Sequence, residues 1–223
     1  MKSLIRIKYI VLGLLISIVL LLTSIEIVSF NTRHYIREYK KHGITNVTGI
    51  SMEGLENITK ELLSYLKDDR NNLVITDIVK GEQREIFGQR EKEHMIDVKE
   101  LFIKGRYIRN VSFIIMVLIL IFMIKNKEKQ GLAKIFLYTF IINIILIIIM
   151  MLLIYFNFDR YFDCFHHIFF NNDLWQLNPN TDIMIQMLPQ EFFYNTATKV
   201  ILVYITNIVI LGTIGVLNNK KTV

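Results

Sequence analysis

The sequence of 223 residues has a single cysteine, Cys164, and only two prolines. One cysteine excludes an intramolecular disulfide framework, and 10 glycines without a repeat exclude collagen-like or low-complexity structure. Hydrophobic residues nevertheless make up 52% of the chain, and the mean hydropathy is +0.40. This is too apolar for a soluble domain of this size, although charged residues still reach 21%. The sequence therefore predicts an integral membrane protein whose polar residues are confined to particular segments.

Four stretches are long and apolar enough to cross a bilayer, which needs about 20 helical residues. The first could be a signal peptide, but its apolar run is longer than an h-region and no small-residue cleavage site follows, so we expect it to be retained. The predicted order is the N-terminus and first span 1–30, extracytoplasmic domain 31–106, second span 107–125, cytoplasmic turn 126–134, third span 135–156, extracytoplasmic segment 157–195, fourth span 196–217 and cytoplasmic tail 218–223.

The distribution of basic residues predicts the orientation in the membrane. Lysine and arginine cluster at three places, namely Lys2, Arg6 and Lys8, then Lys125, Lys127, Lys129 and Lys134, then Lys220 and Lys221. The segment 157–195 has one basic residue, Arg160, against five acidic residues. The positive-inside rule therefore places both termini and the turn 126–134 in the cytoplasm. The net charge of +6 is explained by this orientation, so we expect no nucleic-acid partner.

The predicted fold is a mainly α membrane protein. It has a four-helix transmembrane bundle, a small α/β extracytoplasmic domain between helices one and two, and a shorter aromatic-rich extracytoplasmic segment between helices three and four. Within the larger domain, Gly54–Lys67 has helical spacing, and 71–87 has the pattern of a hairpin. Gln89–Lys104 is again helical and is expected to run into the second span. The aromatic residues of 157–195 indicate an interfacial belt.

Histidines carry most of the candidate chemistry. His94 and Asp97, three residues apart, share one helix face, so the carboxylate could orient the imidazole. An exposed histidine in a charged helix fits this pattern equally well. His166 and His167 are adjacent, and consecutive helical side chains diverge by about 100°, so only one is expected to face a site.

Other residues allow competing interpretations. A metal site made from the histidines and Asp97 has no supporting ligand spacing, so we expect no metal. Cys164 could act as a nucleophile, but a lone cysteine near an apolar run is more often a small buried residue.

Polar residues in and next to the spans have simpler interpretations. His34 and His42, just after the first span, are expected to be solvated. Glu26 is expected to face a cavity or the interface, because a charge in lipid is costly. Asn143 is a candidate for an interhelical hydrogen bond.

Three separated blocks resemble one known family. They are Arg90–Lys99 (REKEHMIDVK), Phe165–Trp175 (FHHIFFNNDLW) and Asn178–Phe193 (NPNTDIMIQMLPQEFF). The blocks occur in the expected order between the expected spans, and the resemblance covers nearly the whole chain. The family is that of the lipoprotein intramolecular transacylase, an integral membrane enzyme of Gram-positive bacteria.

This resemblance implies an acyltransferase that acts on diacylated lipoproteins in the cell membrane, without a cofactor. Such an enzyme moves the sn-2 acyl chain of the S-diacylglyceryl group to the α-amine of the N-terminal cysteine, giving a lyso-form lipoprotein. The active site would face the extracytoplasmic side, and the partners would be the lipoprotein and membrane lipid. The family's functional histidines correspond to His94 and His166.

The residues are compatible with this reaction. An α-amine with a pKa of about 8 must lose a proton before it attacks an ester, and a histidine can accept that proton. The rate should then fall between about pH 6 and 7 as the histidine becomes protonated. Candidate oxyanion donors are Lys99, Asn172 and Trp175, and Asp97 and Asp182 complete the predicted supporting residues.

Two other functional classes remain open. A transporter or channel needs polar residues throughout its spans, and few are available. A non-enzymatic membrane sensor or accessory protein, whose extracytoplasmic domain binds a partner, fits the composition. Substitution of His94 or His166 separates these interpretations, because only an enzyme should lose activity.

Overall fold

The structure is a computed structural model that describes residues 2–126 and 129–220. Two of the basic residues used to predict the orientation, Lys127 and Lys221, lie outside the described residues. The elements are α1 (Lys2–Ser29), α2 (Thr32–His42), α3 (Ile44–Thr48), α4 (Met52–Lys67), β1 (Thr76–Val79), β2 (Glu82–Glu85), α5 (Gln89–Lys125), α6 (Lys129–Phe169), α7 (Ile183–Met187) and α8 (Gln190–Lys220).

Four of these helices contain stretches long and apolar enough to cross a membrane. Within the described residues they are Ile7–Ser29, Gln89–Lys125, Tyr138–Phe169 and Gln190–Ile210. The mainly helical fold with four candidate spans is therefore confirmed. Helix α5 has 37 residues, about 55 Å at 1.5 Å per residue, and so exceeds a hydrocarbon core of about 30 Å. Part of this helix must therefore lie outside the bilayer.

The chain divides into two compact units. The span unit consists of Met1–Ile27, Gly105–Phe156 and Thr198–Val223, and the head unit consists of Val28–Lys104 and Asn157–Ala197. The two polar segments of the sequence, which the second and third spans separate, therefore fold into one head unit.

Polar side chains link three helices within the span unit. Asn143 of α6 is fully buried, and its amide nitrogen donates a hydrogen bond of 3.2 Å to Ser17 Oγ of α1. The hydroxyl of Tyr204, on α8, donates to the Asn143 amide oxygen. The expected interhelical hydrogen bond of Asn143 is therefore confirmed. Glu26 forms an ion pair with Arg109 of α5, a partner that the sequence does not indicate.

The head unit has its apolar core along α4. This helix begins where the Ser51 hydroxyl accepts a hydrogen bond of 3.0 Å from the Gly54 N–H, a typical N-cap. Its residues Leu55, Ile58 and Leu62 are almost completely buried. They pack with residues from several other elements, including Tyr39, Phe87, Met95 and Met187. The helical spacing of Gly54–Lys67 thus predicts both the helix and its buried face.

A two-stranded antiparallel sheet lies between α4 and α5 in the sequence, pairing Val79 with Glu82 at its turn. Lys80 and Gly81 both have positive φ, 53° and 89°, as type I′ hairpin turns require. Only β1 contributes to the core, because β2 is exposed throughout. Helix α5 then starts at Gln89 and continues without a break to Lys125, as expected.

The expectation that His34 is solvated is wrong. His34 is only 1% exposed, and its Nε2 lies 2.9 Å from Thr196 Oγ1. Glu38, also buried, accepts a hydrogen bond of 2.7 Å from the Asn195 amide. His42 is half-buried, with Nε2 at 3.4 Å from Glu38. Each of these groups has a polar partner, and this contact offsets the free-energy cost of burying it.

Candidate active site

The head unit brings together two histidines from different segments. His94 lies on α5 and His166 on α6, and their ring centroids are 6.1 Å apart. Their exposed fractions are 8% and 7%, so neither is a surface histidine. The Nδ1 atom of His94 is buried and has no hydrogen-bond partner among the described residues. This atom is therefore available to pair with a ligand or an ordered water.

A kink in α6 precedes His166 by about two and a half turns. Asn157 has non-helical φ and ψ, −167° and 81°, and its side chain accepts a hydrogen bond of 3.0 Å from the Arg160 N–H. This is an N-cap arrangement, so residues 158–169 form a helical segment with its own start.

The hydrogen bond of His166 fixes its neutral tautomer. Its Nδ1 lies 2.7 Å from the carbonyl oxygen of Phe162. A carbonyl oxygen can only accept, so Nδ1 must carry the hydrogen and donate it. The lone pair of the neutral ring is then on Nε2. His166 is thus prepared to accept a proton at Nε2.

Aromatic rings enclose the two histidines. Trp175 is stacked on His166, with 4.6 Å between centroids and 26° between planes. Phe162 lies 4.4 Å from His166, and Phe170 meets His94 edge-on at 5.3 Å. The interpretation of these aromatic residues as an interfacial belt is therefore incomplete, because three of them surround the histidines.

This enclosure lowers the pKa of both histidines. Burial, reinforced by the neighbouring His166, lowers the pKa of His94 to about 4, although the charge of Asp97 opposes the shift. Burial also lowers the pKa of His166, against the hydrogen bond to Phe162 and the charge of Asp163. Both rings are therefore neutral at neutral pH. The expected fall of the rate between about pH 6 and 7 stays a prediction, and the lowered pKa of His94 means that this ring would not be the one protonated in that range.

Two polar contacts hold α5 to the segment that follows α6. The Asn172 amide donates a hydrogen bond of 2.9 Å to Asp97 Oδ2, which brings together two predicted supporting residues. The guanidinium of Arg90 donates to the carbonyl oxygen of Asp173. These contacts lie on either side of His94 in the sequence. They restrain the helix face that carries it.

A third contact involves Glu91, which is not among the site residues predicted from the sequence. Its side chain is 3% exposed and accepts hydrogen bonds from two backbone N–H groups, Gly88 at 2.6 Å and Met184 at 2.7 Å. Burial raises the pKa of this carboxyl, while both hydrogen bonds oppose the shift. Glu91 three positions after Gly88 gives only the glutamate half of a capping box, because glycine lacks the side-chain acceptor of serine or threonine, so the sequence signal is incomplete.

The three candidate oxyanion donors differ in whether their polar groups already have partners. The indole Nε1 of Trp175 is buried without a hydrogen-bond partner among the described residues. Buried donors in proteins are nearly always paired with protein atoms or ordered water, so this N–H is available to a bound acceptor. The Asn172 amide donates one of its two N–H groups to Asp97.

Lys99 and Asp182 have structural contacts elsewhere in the head unit. The Lys99 ammonium lies 2.7 Å from Asp68 and 3.0 Å from the carbonyl oxygen of Arg70, so it ties α5 to the end of α4. Asp182 precedes α7 and accepts a hydrogen bond of 2.7 Å from the Asn178 N–H. These contacts do not support the predicted roles of Lys99 and Asp182 in the reaction.

Among the described residues, neither a cysteine nucleophile nor a metal site is better placed than the pair of His94 and His166. Cys164 is exposed, contrary to the expected small buried residue, because it lies on an outer face of α6. His167 is exposed and meets Trp175 edge-on at 5.3 Å. Across the described residues, no group of three or more histidine, cysteine, aspartate or glutamate side chains is placed to hold a metal.

The four candidate spans and the head unit with its histidine pair define a multi-pass, membrane-integral helical protein. The model of one protein family, described as lipoprotein intramolecular transacylase Lit, matches residues 10–193. The chain belongs to this family. No curated protein sequence matches it.

The fold is similar to that of solved structures. The membrane integral lipoprotein intramolecular transacylase Lit from Bacillus cereus superposes with a TM-score of 0.84 at 24% identity, covering 100% of this chain and 99% of that one. Two structures of the same protein, with a histidine replaced by alanine or arginine, give TM-scores of 0.80 and 0.78 at 23% identity. They cover 99% and 100% of this chain, and each match covers 96% of the solved chain.

Proposed function

We propose that this chain is an intramolecular transacylase of diacylated lipoproteins. It would move the sn-2 acyl chain of the S-diacylglyceryl group to the α-amine of the N-terminal cysteine, giving the lyso-form lipoprotein. Membership of the Lit family makes the chain an acyltransferase. The observation that carries the finer proposal is the buried pair of His94 and His166, contributed by two separate segments.

In the proposed reaction the substrate supplies both reacting groups. The amine nitrogen attacks the carbonyl carbon of the sn-2 ester, forming a C–N bond, and the bond from that carbon to the glycerol oxygen then breaks. One amine proton passes to a histidine and is returned to the glycerol oxygen, so the enzyme is unchanged. Because nucleophile and ester belong to one molecule, orientation supplies much of the rate.

We assign the proton transfer to His166, because its Nδ1 hydrogen bond leaves the lone pair on Nε2. Protonated His166 disfavours a second charge on His94, which therefore remains neutral and donates an N–H. Its acceptor would be the oxyanion or the departing oxygen. The Trp175 indole N–H would be a further donor to the oxyanion.

The proposed site faces the extracytoplasmic side, with both termini and 126–134 in the cytoplasm and membrane lipid around the spans. An impermeant thiol reagent tests this topology in intact cells after Cys164→Ala. The reagent should label Asn178→Cys and leave Asn126→Cys unlabelled. Labelling of Asn126→Cys in intact cells contradicts the orientation.

The proposed activity is tested by expression in a host that lacks lyso-form lipoproteins. Mass spectrometry of a reporter lipoprotein's N-terminal peptide should show the N-acyl, S-monoacylglyceryl form with the wild-type chain. His94→Ala and His166→Ala should abolish this product while the protein remains in the membrane with an unchanged elution profile in detergent. A non-enzymatic sensor or accessory protein would give no lyso-form product even with the wild-type chain. Its partner binding would be retained in both histidine variants.

A further inference from the structure

We propose that a cationic groove on the head unit binds the phosphate headgroup of an anionic membrane phospholipid. The groove lies between α2 and α4 and has a volume of about 490 Å³. Its lining includes Arg33, Ile36, Arg37 and Lys40 of α2 with Glu56 and Lys60 of α4. The proposal does not depend on the acyltransferase activity, since none of these residues belongs to the histidine site.

The charges of the groove are unbalanced. Its one carboxylate, Glu56, is already paired with Lys60 at 2.8 Å. Arg33, Arg37 and Lys40 are exposed and have no ion-pair partner among the described residues. Their spacing of four and three residues places all three on one face of α2. These three cations, on one side of the groove, therefore have no ion-pair partner within the described head unit.

The start of α2 adds to this positive potential. Thr32, its first residue, lines the groove, and the side chain of the preceding Asn31 makes no capping hydrogen bond. The N–H groups of a helix's first turn favour an anion because they lack helical acceptors and carry the positive end of the dipole. Arginine adds a planar fork that matches phosphate oxygens.

The position of these cations in the chain favours a lipid over a soluble anion. Arg33 comes four residues after Ser29, the last residue of the candidate span Ile7–Ser29. Arg33 is therefore close in the chain to the end of a candidate span, and the headgroup phosphates occupy the layer next to the hydrocarbon core. Ile36 supplies an apolar wall next to the cations, which suits the glycerol and upper acyl atoms of a phospholipid.

Native mass spectrometry of the full-length protein in detergent tests the proposal, with phosphatidylglycerol and phosphatidylcholine titrated separately. Each basic residue near an anionic lipid contributes about fivefold in affinity, so Arg33→Gln/Arg37→Gln/Lys40→Gln should weaken phosphatidylglycerol binding about a hundredfold. The matched control is Lys80→Gln/Arg84→Gln/Lys104→Gln, which removes the same charge elsewhere in the head unit. It should bind like the wild type.

Single Lys40→Gln should weaken binding about fivefold and keeps the test valid if the triple variant does not fold. Unchanged phosphatidylglycerol binding in Lys40→Gln, or an equal loss in the control, overturns the proposal. So does equal binding of phosphatidylcholine. Inorganic phosphate and an acidic peptide are added as competitors at the lipid concentration. Displacement of the lipid by either one would show that the groove takes a soluble anion or a polypeptide instead.

Discussion

The indole of Trp175 stacks on the imidazole of His166, while its buried Nε1 has no partner among the described residues. One side chain therefore does two separable things. Its ring restricts the orientation of His166, and its N–H is the donor that we propose for the oxyanion. A substitution that retains the ring and removes the donor distinguishes the two.

Trp175→Phe should lower kcat about a hundredfold, which is the usual cost of losing one oxyanion donor, and should change KM little. The measurement is the rate of lyso-form product from a reporter lipoprotein in detergent. Trp175→Leu, which loses both ring and donor, should be lower still. A Trp175→Phe rate equal to the wild type would remove Trp175 from the proposed oxyanion donors.

The adjacent histidines should differ in their importance. His166 is buried against Trp175 and held by the Phe162 carbonyl, whereas His167 is exposed. We expect His166→Ala to abolish acyl transfer and His167→Ala to retain substantial activity, measured by mass spectrometry of the reporter peptide. The opposite result would move the proposed base by one residue.

Glu91 should act as a positioning residue. Glu91→Gln leaves one of the two backbone N–H groups without an acceptor, because one oxygen becomes an NH₂ donor, and this should cost about 1–3 kcal/mol of stability. We expect a lower thermal midpoint and a lower kcat with little change in KM. Glu93→Gln, two residues further along α5, is the matched control and should leave both values near wild type. A lower midpoint with unchanged kcat would give Glu91 a purely structural role.

The pKa of His94 should respond to Asp97. The Asp97 charge raises the pKa of His94, which burial holds at about 4, so Asp97→Asn should lower that pKa further. The neutral form is then retained to a more acidic pH. Nitrogen NMR of histidine-labelled protein in micelles measures the protonation directly. A His94 resonance that titrates between about pH 6 and 7 in the wild type would contradict the burial of this ring.

The reaction should need neither a metal nor a covalent acyl-enzyme. Cys164→Ala should retain formation of the lyso-form lipoprotein, since the amine and ester of the substrate react directly. A chelator should leave the rate unchanged. Trapping of an acylated enzyme, or inactivation of a folded Cys164→Ala variant, would favour a two-step route instead.

The sequence predicts well those features that depend on local spacing. The apolar positions of Gly54–Lys67 predict a helix and its buried face, and four long apolar runs predict the four candidate spans. Helical geometry alone also indicates that Lys99 and His94 lie on different faces of α5. Five residues at about 100° each place the two side chains about 140° apart around α5. Lys99 accordingly contacts the end of α4.

Contacts between distant segments could not be predicted in this way. His34 follows a span and is surrounded by charged residues, so its sequence environment is typical of an exposed side chain. Its burial depends on Thr196, 162 positions later in the chain. The lowered pKa of His94 likewise depends on rings contributed by residues 166 and 170. Spacing within one helix contains no information about these partners.

The hydrogen bonds of Asn143 have a consequence for assembly of the spans. Its amide meets Ser17 of the first span and Tyr204 of the last, and lipid offers no replacement for either partner. During synthesis α1 and α6 are complete before α8 emerges. The hydrogen bond from Tyr204 to the Asn143 oxygen therefore forms only after α8 has been made. The Asn143 amide therefore couples packing of the first span to completion of the last. Its hydrogen bond with Tyr204 adds to the free energy of packing α8, beyond what apolar contacts contribute.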